Sequence, residues 1–487
     1  MRILFVASEG LPFSKTGGLA DVIEALPKAL AALGHDVAVL LPRYRCAQID
    51  ASLVKNLEVP IGGKPRSCAI AEGPRPHGVR YFFVDDPEYF DRDGLYGSGG
   101  GDYPDNAERF AEFAYAAIGT AREVWPPDVI HCHDWQSALV PLLLRTRYKD
   151  DAQLCAIPVV FTIHNMGYQG VFPPEVLGRI GVPDSEFRVD SLEFYGKLNY
   201  LKAGLLYSDY LTTVSRTYAE EIKTPEYGHG LEGVAQIRAD QLVGILNGVD
   251  YSTWSPETDP LIAARYSARD MFGKRACKSD LLARFHLPEN LDRPLTSIIS
   301  RFADQKGFDL LAEVAETLLA EDVAMAVLGT GDPKYERMFS ELARRHPDKL
   351  GVKIAYDNTL AHKIEAGADM FLMPSRYEPC GLNQIYSLRY GTVPVVRATG
   401  GLADTIEPFD RATCAGTGFN FHEYSGEALL RAIEHALAVY RDKIAWRSLQ
   451  ANGMAKNFSW DASATEYARL YEVARNARIR SAMASSN

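Results

Sequence analysis

The sequence lacks the features that would assign it to several large classes of protein. Its seven cysteines are odd in number and widely scattered, and none belongs to a C-x-x-C pair, so we predict neither a disulfide framework nor a zinc site. No apolar run reaches membrane-spanning length, and the first one ends at Glu9, too early for a signal peptide. The formal net charge of −11 argues against nucleic acid as a partner. These absences predict a cytoplasmic protein without a membrane or nucleic-acid partner.

The sequence does contain a repeated alternation of short apolar runs and helical patterns, which is typical of parallel sheets built from βαβ units. A chain of 487 residues is also long for a single core. We therefore predict an α/β fold with two doubly wound domains, residues 1–246 and 247–459, and a final helix over 460–487 that could pack on either. The apolar runs are 3–7, 37–41, 129–132, 158–163, 210–214 and 243–246, then 295–300, 324–328, 352–355, 370–373 and 394–396.

A glycine turn follows the first apolar run, in the segment from Lys15 through Gly17 and Gly18 to Leu19. Glycines at such a position let backbone N–H groups approach a phosphate, and the dipole of the following helix favours the negative charge. The segment matches neither G-x-G-x-x-G nor G-x-x-x-x-G-K-[ST], and no G-x-G-x-x-G follows a predicted strand, which argues against a dinucleotide oxidoreductase. A plain tight turn is the alternative to a phosphate site.

Polar side chains follow two further runs of the first half. The segment 131–135 reads His-Cys-His-Asp-Trp, and the segment 162–165 reads Thr-Ile-His-Asn. Because the carboxyl ends of parallel strands meet at one edge of a sheet, we expect these side chains to converge. His131 and His133 would point the same way, but no third metal ligand is evident, so we favour a wall that orients sugar hydroxyls over a metal site.

In the second half, Arg301 follows an apolar run and Lys306 precedes a helical pattern. A planar guanidinium and a mobile ammonium suit a pyrophosphate, although two solvated surface charges are the alternative. Glu378 lies on a turn that opens a helix near Gly381, where it could accept hydrogen bonds from sugar hydroxyls or simply cap that helix. A second glycine turn at Gly400 opens a further helix.

Several segments together resemble the bacterial glycogen synthase and plant starch synthase family in order and spacing, namely 15–19, 133–135, 161–165, 301–307, 374–381 and 399–401. The resemblance implies a GT-B fold, with two Rossmann-like domains facing each other across a deep cleft and the final helix packing back on the first. It implies a hexosyltransferase that moves glucose from ADP-glucose to the non-reducing end of an α-1,4-glucan, either glycogen or a maltooligosaccharide, with retention. It also implies that neither a metal nor a prosthetic group takes part.

The resemblance further implies roles for single residues. The implied catalytic residues are Lys15, His164, Arg301, Lys306 and Glu378. Those implied for the nucleotide sugar are Lys15, Gly17, Gly18, Asn247, Arg301, Lys306, Tyr356, Cys380, Gly381, Leu382, Thr399 and Gly400, with Tyr356 stacking on the base. Those implied for the acceptor side are Glu9, Tyr96, Asp134, Trp135, His164 and Asn165.

Related transferases and other classes compete with this interpretation. A sucrose or trehalose-phosphate synthase relative would share the cation pair but lack the segment 15–18, a glucan phosphorylase would need a lysine for pyridoxal phosphate, and a non-catalytic glucan-binding protein would lose the cations. Many retaining GT-B transferases carry Glu-x7-Glu, whereas Tyr386 stands at the second position here. Glu378 is therefore the lone carboxylate of that motif. No residue excludes UDP-glucose by a physical argument.

Overall fold

The structure is a computed structural model that describes residues 1–62 and 64–485. The chain divides into two units. The first contains Met1–Val214, Ala219–Leu246 and Trp460–Asn487, and the second contains Ser215–Tyr218 and Asn247–Ser459. Residues 486 and 487, which end the helix predicted over 460–487, lie outside the described residues.

Most strands of the first unit belong to one large sheet. In chain order the strands are β1 (Arg2–Val6), β2 (Asp36–Pro42), β3 (Ser52–Ile61), β4 (Lys64–Glu72), β5 (Arg80–Asp85), β6 (Gly97–Ser98), β7 (Gly101–Asp102), β8 (Val129–His133), β9 (Val159–Ile163), β10 (Val171–Phe172), β11 (Glu193–Phe194), β12 (Lys197–Asn199), β13 (Tyr210–Thr213) and β14 (Leu242–Gly244). The large sheet has the order β14-β13-β9-β8-β1-β2-β5-β4-β3. Strands from β14 to β5 run parallel, whereas β4 and β3 extend the edge in antiparallel fashion.

The path of the chain through this sheet is doubly wound. The chain leaves β1 toward β2 and β5, then crosses to β8 on the other side of β1 and continues outward. Residues Ile3 to Val6 of β1 are fully buried, because helices cover both faces of a parallel sheet. A continuous apolar run is therefore the expected sequence for such a strand, and β1 and β8 flank the point where the winding reverses.

The second unit repeats this architecture with a smaller sheet. Its strands are β15 (Leu295–Phe302), β16 (Ala324–Gly331), β17 (Leu350–Ile354), β18 (Met370–Met373), β19 (Val393–Arg397) and β20 (Phe419–Phe421). All are parallel, in the order β17-β16-β15-β18-β19-β20. The winding reverses between β15 and β18, as it does between β1 and β8 in the first unit.

Helices connect the strands of both units. In chain order they are α1 (Gly18–Ala32), α2 (Pro87–Phe90), α3 (Asn106–Gly119), α4 (Asp134–Ser137), α5 (Leu139–Arg145), α6 (Tyr200–Tyr207), α7 (Arg216–Glu221), α8 (Glu232–Ile237), α9 (Phe272–Arg284), α10 (Phe308–Ala320), α11 (Pro333–Arg345), α12 (Asn358–Gly367), α13 (Asn383–Arg389), α14 (Gly400–Thr405), α15 (Gly426–Arg441), α16 (Lys443–Met454) and α17 (Trp460–Ser485). Among the described residues, no helix combines the length and the apolar composition that crossing a membrane requires.

The last helix, α17, packs on the first unit through one face. Trp460, Ala464, Tyr467 and Tyr471 are spaced by three or four residues and share a buried core with β1 and α1. The hydroxyl of Tyr471 also lies 2.8 Å from Nδ1 of His131 in β8. The end of the chain therefore supports the strand from which the histidines of the candidate site project.

The predicted doubly wound α/β class is confirmed, and the apolar run 370–373 coincides with β18. The prediction that Arg301 follows a strand is wrong, because β15 continues through Phe302 and pairs Arg301 with Thr330 of β16. The edge strand β3 has no counterpart among the predicted runs. Its first five residues are all exposed, so burial imposes no apolar pattern there.

Candidate active site

The candidate residues of each unit lie where the winding of its sheet reverses. In the first unit, Glu9 follows β1 and Asp134 directly follows β8. In the second unit, Arg301 and Lys306 lie at the end of β15 or just after it, and Glu378 follows β18. Open α/β sheets bind their ligands outside the carboxyl ends of strands at such a reversal. Each unit therefore presents one set of polar groups at the expected edge.

Glu9 organises the glycine turn of the first unit. Its Oε2 accepts hydrogen bonds from the backbone N–H of Thr16 at 2.5 Å and of Gly17 at 3.2 Å. Its Oε1 accepts from the hydroxyl of Thr16 at 2.7 Å and from that of Tyr96 at 2.8 Å. The Tyr96 hydroxyl also lies 2.8 Å from Oγ of Ser8. The two amides of the turn thus face a buried carboxylate, which fixes the conformation of the turn before any ligand arrives.

The glycines of this turn are not required by the protein's own packing. A Cβ added at Gly17 or Gly18 would meet no atom within 4 Å, and neither residue has the left-handed backbone that favours glycine. Beside them, the ammonium of Lys15 donates to Asp21 Oδ1 at 2.6 Å. The open space above the turn is therefore bordered by a cation and is available to a ligand.

Asp134 and His164 are brought together at the ends of β8 and β9. Asp134 Oδ1 accepts from the backbone N–H of His164 at 2.8 Å, and the Asp134 backbone has a left-handed φ of 55°. Burial raises the pKa of Asp134 to about 7 and lowers that of His164 to about 3. The imidazole is therefore neutral at pH 7, and the carboxyl titrates near that pH.

A third residue, His133, contacts the His164 ring. Its Nδ1 is 3.0 Å from Nε2 of His164, and its ring stacks on that of Phe5 with 5.5 Å between centroids. Burial lowers the pKa of His133 well below its usual value. His131 and His133 project to the same side of β8, as their alternation predicts, with 4.1 Å between their ring centroids.

Trp135 and Asn165 complete the predicted acceptor side of the first unit. The Trp135 indole packs against Phe110, whose ring also contacts that of Tyr96. A side chain at Gly170 would collide with the indole, and the left-handed φ of 62° at that residue likewise favours glycine. Asn165 Oδ1 accepts from the backbone N–H of Gly167 at 2.9 Å, so this amide supports the loop after β9.

Lys306 and Glu378 form an ion pair in the second unit. The ammonium donates to Glu378 Oε2 at 2.6 Å, and the hydroxyl of Ser375 donates to the same oxygen at 3.1 Å. The Glu378 side chain is 8% exposed and that of Lys306 is 22% exposed. Helix α13 begins after Leu382 without a side-chain cap, so the alternative that Glu378 caps this helix is wrong. The carboxylate is instead held at the strand end by a cation.

The second glycine turn packs tightly on the segment that carries Glu378. A Cβ at Gly400 would strike the carbonyl oxygen of Glu378, and one at Gly401 would strike that of Cys380. Gly400 also has a left-handed φ of 45°. Unlike the turn at Gly17, this turn requires glycine for the protein's own packing, and Thr399 immediately before it is the N-cap residue of α14.

The other predicted residues of the second unit surround this pair or stand apart from it. Cys380 is buried beside the backbone of Asn247, and burial raises the pKa of its thiol to about 12. Gly381 has a left-handed φ of 69°. Arg301 is an exposed residue of β15, and Tyr356, 80% exposed, follows the edge strand β17 rather than the strands at the reversal.

Three supporting residues are absent from the implied sets of catalytic, nucleotide-sugar and acceptor-side residues. Asp21 pairs with Lys15, Ser375 donates to Glu378, and His133 contacts His164. Asp21 lies only six residues beyond Lys15, so local spacing could have indicated that pair, whereas the partners of Ser375 and His133 depend on the folded turn and on neighbouring strands. Within the described part of the chain, no three His, Cys, Asp or Glu side chains are grouped as a metal site requires.

Comparison with known proteins identifies the family. The starch synthase catalytic domain model matches residues 2–237, and the glycosyl transferases group 1 model matches residues 281–447. The chain is 56% identical to the glycogen synthase of Koribacter versatilis over 480 residues, which are 98% of this chain and 99% of that protein. The chain belongs to the glycogen and starch synthase family. A second family member, the glycogen synthase of Anaeromyxobacter dehalogenans, is 49% identical over 477 residues, covering 97% of this chain and 99% of that one.

Solved structures agree with this family assignment. The catalytic domain of starch synthase IV from Arabidopsis thaliana, bound to ADP and acarbose, is 33% identical with a TM-score of 0.89, covering 98% of this chain and 99% of that one. The predicted family and its GT-B fold are thereby confirmed. Sucrose-phosphate synthase from Thermosynechococcus elongatus, at 20% identity and a TM-score of 0.61 over 98% of this chain and 99% of that one, shares the fold alone.

Proposed function

We propose that this protein is a hexosyltransferase that moves glucose from ADP-glucose to the non-reducing end of an α-1,4-glucan, glycogen or a maltooligosaccharide, with retention of the anomeric configuration. The observation that carries the proposal is the ion pair of Lys306 and Glu378 at the reversal of the second sheet, in a member of the glycogen and starch synthase family. The ADP bound to the Arabidopsis starch synthase IV domain supports adenosine as the nucleoside of the donor.

The cations of the second unit are proposed to bind the diphosphate of the donor. An ammonium has three N–H donors, so Lys306 can keep its contact with Glu378 while it donates to a phosphate oxygen. Arg301 offers the planar fork that suits two phosphate oxygens at once. Glu378, held in place by Lys306 and Ser375, is left with Oε1 to accept from a glucose hydroxyl.

The remaining assignments rest on the chain's membership of the glycogen and starch synthase family. For the nucleotide sugar we propose Lys15, Gly17, Gly18, Asn247, Tyr356, Cys380, Gly381, Leu382, Thr399 and Gly400, with Tyr356 stacking on the base. For the sugar and acceptor side we propose Glu9, Tyr96, Asp134, Trp135, His164 and Asn165. The neutral His164 and the buried Asp134 suit uncharged hydroxyl groups, because neither carries a full charge into the site below pH 7.

Transfer with retention needs no protein nucleophile in this proposal. The bond from glucose C1 to the diphosphate oxygen breaks while the acceptor hydroxyl oxygen bonds to C1 from the same face. The hydroxyl proton passes to the leaving diphosphate oxygen, whose charge Arg301 and Lys306 stabilise. Glu378 is already engaged by Lys306 and Ser375, and Tyr386 stands where related motifs have a second carboxylate. Front-face attack is therefore preferred to a glycosyl-enzyme ester.

The two glycine turns should respond differently to the same substitution. We expect Gly17→Ala to leave the melting temperature unchanged and to raise the KM for ADP-glucose by about tenfold, because the methyl group enters space that the donor needs. We expect Gly400→Ala to lower stability by roughly 1–3 kcal/mol, because the methyl group meets the carbonyl of Glu378 on a left-handed backbone. Thermal unfolding and donor-saturation kinetics measure both effects, and a destabilised Gly17→Ala with an unchanged KM contradicts the assignment of that turn.

The proposed activity is tested by transfer of labelled glucose onto glycogen from ADP-glucose and, separately, from UDP-glucose, with EDTA present. We expect chelator-resistant incorporation, at least about tenfold faster from ADP-glucose. Preference for UDP-glucose would overturn the donor assignment alone. A loss of activity in EDTA that Mg²⁺ restores would overturn the proposed role of the protein's own cations. No incorporation from either donor would favour the alternative that the protein binds glucan without catalysing transfer.

A further inference from the structure

A pair of histidines links the interior of the first unit to its candidate site. His133 Nδ1 and His164 Nε2 lie 3.0 Å apart, at the carboxyl ends of β8 and β9. Burial lowers the pKa of both imidazoles, so each ring carries a single N–H. One proton therefore lies between them, and the pair has two arrangements. Either His133 donates to His164, which then carries its own proton on Nδ1, or His164 donates to His133.

The other nitrogen of His133 decides between the two arrangements. Its Nε2 is buried and has no hydrogen-bond partner among the described residues, and the ring contacts the rings of both Phe5 and His131. If His164 donated, His133 would have to carry its proton on this Nε2, as a buried and unpaired N–H. A buried N–H without an acceptor is rare in proteins and costs the full desolvation of the group. A bare lone pair at Nε2 is the cheaper state, so the proton belongs on Nδ1 of His133.

We propose that His133 is a positioning residue that holds His164 in the tautomer with its proton on Nδ1, so that His164 meets the sugar only as a hydrogen-bond donor. The proposal rests on the proposed function, in which His164 contacts the sugar. Asp134 Oδ1 fixes the backbone of His164, and His133 fixes the direction of the ring's hydrogen bond. A hydroxyl that accepts from His164 must direct its own proton elsewhere, which restricts the orientation of the bound sugar.

The tautomer can be measured without activity. In the full-length protein with ring-¹⁵N-labelled histidine, the His164 signals are assigned by their loss in His164→Gln, and we expect them to show a protonated Nδ1. His133→Phe keeps a ring against Phe5 but removes the donor. His164 is only partly buried, so without that donor it should shift toward the Nε2–H form that a free neutral imidazole prefers. His133→Asn keeps an N–H donor near the position of Nδ1 and should restore the Nδ1–H form. A wild-type His164 protonated on Nε2, or a tautomer unchanged in His133→Phe, overturns the proposal.

His131→Gln is the matched control. His131 is a neighbouring buried histidine whose Nε2 contacts Thr162 and whose Nδ1 contacts Tyr471, and neither of its nitrogens contacts His164. The substitution should leave the His164 tautomer as it is in the wild type. A tautomer change in this control as large as that in His133→Phe would assign the effect to general loosening of the strand and would overturn the specific role of His133.

Kinetics test the consequence for the reaction. We expect His133→Phe to lower kcat/KM about tenfold, the size of one net hydrogen bond, and His133→Asn to recover most of it. A tautomer that follows His133 while kcat/KM stays unchanged would overturn the positioning role. If the wild-type protein transfers no glucose from either donor, the proposed function fails, whereas the tautomer in the wild type and its variants still decides whether His133 sets the state of His164.

Discussion

Lys306→Gln is expected to lower kcat by about 10²–10³ at saturating ADP-glucose, because negative charge develops on the leaving diphosphate in the transition state and this cation would no longer stabilise it. Glutamine is preferred to alanine because its amide can still donate to Glu378. The Glu378 side chain is only 8% exposed, and alanine would leave this carboxylate with the Ser375 hydroxyl but without a cation, which would destabilise the fold and obscure the effect on kcat. Initial rates of glucose transfer measure the effect.

Lys456→Gln is the matched control for this prediction. Lys456 also donates to a single carboxylate, that of Glu407 at 2.5 Å, but it lies outside the proposed site and both side chains are more exposed than those of the Lys306 pair. It should keep the wild-type kcat. A Lys306→Gln variant with a wild-type melting temperature and full turnover would remove Lys306 from the catalytic residues. A raised KM for ADP-glucose with an unchanged kcat would instead mean that Lys306 binds the substrate equally in the ground state and in the transition state.

The strands at the centre of each sheet are the part of the fold that the sequence predicts best. Burial on both faces forces β1 and β18 to be continuous apolar runs, so their positions can be found by pattern alone. The edge strand β3 is exposed along half its length, so the same constraint does not act on it. The doubly wound order then follows from the alternation with helices, and it brings the polar strand ends to the point of reversal.

The sequence predicts which residues belong to the site better than it predicts which of them contact one another. Motifs place Lys306 and Glu378 at strand ends, but the two residues are 72 positions apart and meet only because β15 and β18 are neighbours at the reversal. The contact of Tyr471 with His131 spans 340 positions and depends on the packing of α17. The resemblance implies an acceptor-side role for Glu9, and its hydrogen bonds to the turn at Thr16 and Gly17 also give it a structural role.

Asp134 should make the stability of the protein depend on pH. Burial raises the pKa of this carboxyl from 3.8 to about 7 in the folded protein. Between these two values the folded chain holds a proton that the unfolded chain has released, so the free energy of unfolding falls as pH rises. The slope from this one group is up to about 1.4 kcal/mol per pH unit, and the contribution is fully present below pH 3.8 and fully lost above pH 7.

Asp134→Asn should remove this slope while it keeps an oxygen that can accept from the backbone N–H of His164. Urea unfolding of both proteins between pH 4 and pH 8 measures the difference, and the variant should gain stability relative to wild type as pH rises to 7 and none beyond. Asp128→Asn is the control, because Asp128 also accepts from a backbone N–H, that of Arg2, but its side chain is 35% exposed. A pH-independent difference for Asp134→Asn would mean that the folded protein holds Asp134 ionised, which would set a full negative charge beside the sugar hydroxyls.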